Sequence, residues 1–239
     1  MKEYFEILDW DSDFFGFKVA KINKGLLLEE ASENCFKSLY KNEINLGYFF
    51  SNSPIDQSIL NNDFYNIILV HKRIPLVKTI IKDCGFDPNI SIYKDKYPSE
   101  DMIHLAQLAG SYSRFGVDPN ISHDKFNDLF KTWIINSVNK KIASDVLVFK
   151  KDDKIIGLAT IKIEKGVMYT PLFAVKRKYE GIGVSFSLMR AIETIAFRND
   201  CSTIIGGTQE VNIKALKVYE RFGLVPQEPE YIYHLWKNK

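Results

Sequence analysis

The sequence predicts an α/β (α+β) protein, in which a mixed, mostly antiparallel central sheet follows a smaller N-terminal α/β domain. Three observations carry this reading. Val146 to Val175 reads as three strands joined by the tight turns Lys151–Lys154 and Lys165–Gly166, a meander that short connections restrict to antiparallel pairing. The meander runs into a basic, glycine-containing loop, Lys176–Gly183, and then into an apolar helix from Val184 to Arg198. The first 95 residues instead alternate strand and helix patterns, which divides the chain into 1–95 and 96–239.

The elements follow in order. Leu8 to Phe17 fits neither a helical nor a strand period and reads as a compact, turn-rich element leading into a strand, Lys18 to Ile22. Glu29 to Leu46 is a helix on the spacing of Ala31, Cys35, Leu39 and Tyr40. Leu46 to Ser51 and Asn66 to His71 are short apolar runs of strand type, and Lys78 to Cys84 reads as a short helix closed by Gly85. Ser99 is a good N-cap for a helix reaching Gly110, with Glu100 and Asp101 suited to its positive end. Lys125 to Asn139 places Phe126, Leu129, Phe130, Trp133, Ile134 and Val138 on one stripe. Within the meander, Gly157 is read as a bulge. Cys201 to Gly206 is a strand, Asn212 to Phe222 a helix, and Tyr231 to Trp236 the last strand.

Composition excludes several functions. The 239 residues hold 32 basic and 30 acidic side chains, a net charge of +2, so nothing demands a nucleic-acid-binding face. Any anion site must be local. Cys35, Cys84 and Cys201 are far apart, with no Cys/His spacing for a metal, which points to free thiols in a reducing compartment. The start Met1-Lys-Glu-Tyr-Phe-Glu lacks an apolar signal core, and no apolar run approaches the roughly 18–20 residues of a membrane span. The expectation is a cytoplasmic protein with no metal and no membrane partner. Oligomeric state stays open, a homodimer included.

The chemistry lies in strand, Lys178-x-x-Gly181-x-Gly183, helix. A helix N-terminus offers unpaired N–H groups and partial positive charge, and glycine lets backbone approach an anion closely. Together they make a pyrophosphate cradle. A Rossmann loop needs a third glycine, but Val184, Ser185 and Phe186 follow Gly183. The P-loop pattern is also absent.

The stretch Val175-Lys-Arg-Lys178-Tyr-Glu-Gly181-Ile-Gly183-Val resembles the coenzyme motif of the GNAT N-acetyltransferase superfamily, Gln/Arg-x-x-Gly-x-Gly/Ala, with lysine at the first position. The resemblance implies a GNAT fold and acetyl-CoA as acyl donor. Backbone of the strand at Phe173, Ala174 and Val175 would meet the pantetheine arm. Amides across Lys178, Tyr179, Glu180, Gly181, Ile182, Gly183 and Val184 would hold the pyrophosphate.

Asn212, Ala215 and Tyr219 share one helix face by spacing. That face suits a thioester arm: a polar amide, a small residue and a phenol. Spacing alone leaves Tyr219 open between this role and that of a core aromatic. The superfamily carries N-x-x-A-x-x-x-Y-x-x-x-G-F here, and this chain differs only in Leu224. The resemblance makes Tyr219 the catalytic acid for the departing thiolate.

More of the chain resembles one branch, the dTDP-4-amino-4,6-dideoxyhexose N-acetyltransferases. The matching segments are Leu8-Asp-Trp10-Asp11-Ser12-Asp-Phe14-Phe15-Gly16, Ser113-Arg114-Phe115 with Asp118, Trp133-Ile-Ile-Asn-Ser137, Thr208-Gln209 and Tyr233-His234-Leu-Trp236. This implies direct attack by the 4-amine of a dTDP-linked sugar, in surface-glycan biosynthesis, with Arg114, Trp133, Tyr169 and Thr208 at the acceptor. Arg114 could equally pair with Asp118. No general base stands out; Glu180 and Glu210 are candidates. The alternatives are acetylation of a peptide, protein or other small amine, and a binding module without catalysis.

Overall fold

The computed structural model describes residues 4–23 and 32–238. The elements run β1 (Phe5–Ile7), α1 (Asp9–Phe15), β2 (Val19–Ile22), α2 (Ser32–Lys41), β3 (Leu46–Ser51), α3 (Gln57–Leu60), β4 (Tyr65–Thr79) and β5 (Ile90–Ile92). There follow α4 (Glu100–Gly110), α5 (His123–Val138), β6 (Asp145–Lys151), β7 (Lys154–Glu164), β8 (Val167–Tyr169) and β9 (Phe173–Val175). A 3-10 turn (Arg177–Tyr179), α6 (Val184–Arg198), β10 (Thr203–Gln209), α7 (Ile213–Arg221), β11 (Val225–Pro226) and β12 (Glu230–Lys237) complete the chain.

Two compact units form: residues 1–73 with 228–239, and residues 74–227. This differs from the expected division at 95. In the first unit β12 pairs antiparallel with both β3 and β4, which draws the end of the chain to the N-terminal strands. Apolar alternation cannot reveal such a long-range partner.

The first unit orders its strands β1-β2-β3-β12-β4, with β2 and β3 parallel. Its core includes Ile22, Cys35, Leu39, Phe49, Tyr65, Tyr233 and Leu235. The expected turn-rich segment is a helix, α1, closed by Gly16 at φ 80. Ser12 ties it down, its hydroxyl donating to Leu8 O at 2.8 Å and accepting from Val19 N at 2.9 Å. The expected helix from Glu29 is observed as α2 over Ser32–Lys41, residues 29–31 lying outside the described chain.

The second unit carries the order β4-β10-β8-β7-β6-β5, using the later half of β4. β8 and β10 are parallel; β5–β6, β6–β7 and β7–β8 are antiparallel. The expected helix Lys78–Cys84 is absent. β4 runs on to Thr79, and irregular chain follows. Pro75 and β-branched Ile74, Val77 and Thr79 favour extended backbone over a helical turn. Gly85, at φ 71, sits in the irregular chain rather than at a helix cap. The bulge falls where Gly157 predicted it: Phe149 faces Gly157 and Lys150 faces Ile155. A Cβ on Gly157 would lie 2.8 Å from Val184 Cγ1 and 3.0 Å from Leu188 Cδ1, so this glycine lets α6 press onto β7.

Candidate active site

The third strand of the meander is not continuous. It breaks at Thr170-Pro171-Leu172 into β8 and β9. Pro171 has no N–H for a ladder, which explains the break. Thr170 N still donates to Ile205 O at 3.2 Å. Among the described residues no further pairing joins β9 to β10, and β9 pairs with β7 alone.

Backbone alternation then fixes what faces the gap. Thr160 N donates to Leu172 O and Lys176 N to Ile156 O, both at 2.9 Å. Residues 172, 174 and 176 therefore turn their amide and carbonyl groups toward β7. Phe173 and Val175 turn theirs the opposite way, toward the side where β10 has parted from β9. An extended arm with amide groups can add there as an extra strand. Of the neighbouring amides at Phe173 and Ala174, Phe173 N–H faces the gap and Ala174 N–H is directed at Leu158 of β7.

At the end of β9 the chain enters the glycine loop. Gly181 lies at φ 80 and Gly183 at φ 97, and Gly183 occupies the N-cap of α6 without a capping side chain. The first helical donor there is Ser187, to Gly183 O at 3.0 Å. The amides of Val184, Ser185 and Phe186 thus have no intrahelical acceptor and could hold an anion. The expected run of amides is narrowed, because Tyr179 N and Glu180 N already donate to Lys176 O and Arg177 O. Several side chains of the loop are structural. Tyr179 packs on the core with the Lys178 ammonium 5.0 Å from its ring centre. Val184 is buried, and Ile182 is exposed. Lys176 is paired with Asp101 of α4. Glu180 is held by Lys214 at 3.0 Å, a link from the loop to α7 separated by 34 positions that no local pattern announces.

Asn212 stands outside the helix rather than on its face. It is the N-cap of α7, its Oδ1 accepting from Ala215 N at 3.3 Å, which leaves its side-chain N–H groups as donors. Ala215 is half-buried against the core. Tyr219 is buried, and burial pushes its phenol up to about 12. Its ring lies 6.0 Å from that of Phe173 on β9, and its Cε1 is 4.0 Å from where a Gly206 Cβ would sit on β10. Tyr219 therefore stands over the place where β9 and β10 part.

The residues expected at the acceptor do not form one group. Arg114 lies 4.2 Å over the Phe115 ring, and Phe115 meets Trp133 edge-on at 5.9 Å, so Arg114 and Trp133 share a cluster. Tyr169 is in register with Ile205. Thr208 alternates with Ile204 and Gly206, so it points to the opposite sheet face from Tyr169. The sequence reading missed Thr170 and Thr160; the latter hydroxyl accepts from Leu172 N at 3.0 Å and holds the start of β9. Among the described residues no cluster of His, Cys, Asp or Glu could hold a metal, and no helix is long and apolar enough to cross a membrane.

Residues 107–224 match the acetyltransferase (GNAT) family. The chain belongs to the GNAT acetyltransferase superfamily. Solved structures agree on the fold. A GNAT-family protein from Novosphingobium aromaticivorans superposes with a TM-score of 0.58 at 13% identity, covering 92% of this chain and 84% of that one. A GCN5-related N-acetyltransferase from Sphaerobacter thermophilus gives 0.58 at 12% identity, covering 98% and 76%. Among curated proteins, the spore coat polysaccharide biosynthesis protein SpsD of Bacillus subtilis is 30% identical over 141 residues, 59% of this chain. The alignment spans about half of that relative, 48% of its length.

Proposed function

We propose that this GNAT protein transfers an acetyl group from acetyl-CoA to the amine of a nucleotide-linked amino sugar, a dTDP-4-amino-4,6-dideoxyhexose. The observation that carries the acyl transfer is the pair of parted strands, β9 and β10, with the glycine-capped start of α6 at one end and Tyr219 over the gap. The residues fit the donor. The unpaired backbone of Phe173 and Val175 suits the amide-bearing arm, and the amides at the start of α6 suit the pyrophosphate.

The donor supplies a thioester: the neutral acceptor amine attacks its carbonyl carbon, the C–S bond breaks to release the thiolate, the nitrogen gives up a proton to solvent, and the thiolate takes one from solvent. Phe173 N–H lies on the side where the carbonyl oxygen gains charge and donates to it. The Tyr219 hydroxyl donates to the sulfur as it becomes a thiolate. A phenol held at about 12 is a weaker acid than a thiol of about 8.5, so complete proton transfer from it runs uphill. Tyr219 thus serves best as a hydrogen-bond donor to the leaving group.

The sugar assignment rests on the segments quoted for the dTDP-amino-sugar branch and on the relative whose name places it in polysaccharide biosynthesis. Thiol release with acetyl-CoA and a panel of dTDP-4-amino-4,6-dideoxyhexoses tests it. No turnover with any sugar, while the coenzyme still binds, sinks the acceptor and leaves the donor standing.

A second reading, acetylation of a cationic peptide or polyamine, has one observation in its favour. A cavity of about 390 Å³ between α4 and α5 is lined by Glu100, Asp101, His104, Asp128 and Lys131, three carboxylates to one ammonium. Spermidine or a lysine peptide turning over faster than the amino sugars would favour this reading.

A further inference from the structure

A second cavity of about 390 Å³ lies on the outer side of α6, lined by Lys78, Lys82, Cys84, Arg190, Arg221 and Phe222, with Asp83, Phe186 and Glu193 completing it. It is built around a buried carboxylate. Glu193 is 1% exposed, and its Oε2 accepts from Lys78 Nζ at 2.8 Å and from Cys84 Sγ at 3.2 Å. Its other oxygen, Oε1, is buried with no hydrogen-bond partner among the described residues. A buried acceptor left unmatched costs stability, and a ligand N–H at this point would repay it.

The walls add two further preferences. Phe186 and Phe222 meet edge-on at 5.6 Å, and Phe186 leaves 43% of its surface exposed. That is an open face for a planar ring. Lys78 is already committed, to Glu193, to Phe222 O at 2.9 Å and to the Phe222 ring at 3.9 Å. Arg190 donates to Cys84 O at 3.2 Å through Nε. Lys82 and Arg221 carry no ion pair among the described residues. Four cationic side chains face two carboxylates, so the cavity favours an anion.

We propose that this cavity binds a nucleoside phosphate: its base donates N–H to Glu193 and lies on Phe186, and its phosphate meets Lys82 and Arg221. Phe186, Arg190 and Glu193 lie on one face of α6, starting in the first turn of the same helix whose amides mark the pyrophosphate site. Two sources share this chemistry. One is a free nucleotide. The other is the phosphorylated nucleoside end of a coenzyme held at the glycine loop. The proposal stands on binding and needs no acyl transfer.

The test is calorimetric titration of the full chain with ADP, 3′-phosphoadenosine 5′-phosphate, CoA and dephospho-CoA. The same titrations are repeated on Lys82→Ala, Arg221→Ala and the double variant, which alter exposed side chains and leave the core intact. Losing one charge-assisted phosphate contact weakens affinity about tenfold or more. ADP binding that persists in saturating CoA and falls in the variants assigns a free nucleotide. A CoA affinity that falls in the variants, with dephospho-CoA little affected, assigns the coenzyme's own end. Unchanged affinities throughout, or no nucleotide binding outside the glycine loop, overturn the proposal, whether or not the protein turns over any acceptor.

Discussion

The rings of Tyr219 and Phe173 lie 6.0 Å apart, one on α7 and the other on β9, so the phenol is held against the strand whose backbone faces the open gap. Neither residue is close to the other in sequence, and only the parting of β9 from β10 gives the pair a shared purpose. If the Tyr219 hydroxyl stabilises the leaving sulfur, Tyr219→Phe removes one donor and keeps the packing. Turnover should fall about 100-fold, with CoA affinity within twofold of the parent. Steady-state kinetics beside calorimetry separates the two readouts. Unchanged kcat would make Tyr219 a core aromatic only.

Burial also sets the pH behaviour of Tyr219. Its folded value is about 12 against an ordinary 10.0, so the fold favours the neutral phenol. The associated stability is fully present below pH 10 and is lost as pH rises through about 12. Any alkaline loss of activity due to this group should therefore centre near 12 rather than 10. A difference ultraviolet titration of the parent against Tyr219→Phe reads the value directly. A tyrosinate appearing near pH 10 in that difference would contradict the buried placement.

Gly183 has open space around its missing side chain but sits at φ 97. Gly183→Ala should cost about 1–2 kcal/mol through left-handed strain alone. The added methyl also stands at the mouth of the anion site, so CoA affinity should fall more than stability suggests. Thermal unfolding and calorimetry together check this. A variant with lower Tm and unchanged CoA binding would remove Gly183 from the cradle.

Local patterns were enough to find α6, α7 and the glycine loop, because amphipathic period and glycine chemistry act over a few residues. They also located the bulge at Gly157. They failed where distant chain decides. Leu8–Phe17 was too short and too aromatic to show a helical period, yet Ser12 and Gly16 close α1. Lys78–Cys84 carries a helical spacing that Pro75 and strand pairing override. The break at Thr170-Pro171-Leu172 was visible in the proline but was read as one strand. Tyr169 and Thr208 were grouped by likeness, and a two-residue period on β8 and β10 sends them to opposite faces.

Gly110 tests the packing of α4 on α5. A Cβ there would lie within 2.6 Å of three Phe130 ring atoms, the nearest of them Cζ. Phe130 is 1% exposed and wedged between Phe126 at 4.9 Å and Trp133 at 5.0 Å, so it cannot swing away. Gly110→Ala should therefore destabilise by about 1–3 kcal/mol despite alanine's better helix propensity. Denaturant unfolding decides the sign; a more stable variant would mean that α5 shifts freely.

Lys78 and Glu193 form an ion pair at 2.8 Å whose side chains are only 16% and 2% exposed. Removing one partner leaves a charge that water cannot reach. Lys78→Met should cost about 3–5 kcal/mol, and Glu193→Gln less, since glutamine keeps the shape and can still hydrogen-bond Lys78. The double change Lys78→Met with Glu193→Leu removes both charges and should recover much of the loss. A double-mutant cycle on unfolding free energy checks the coupling. Strictly additive losses would mean that the two side chains stabilise the fold separately, through Phe222 and Cys84 respectively, rather than through each other.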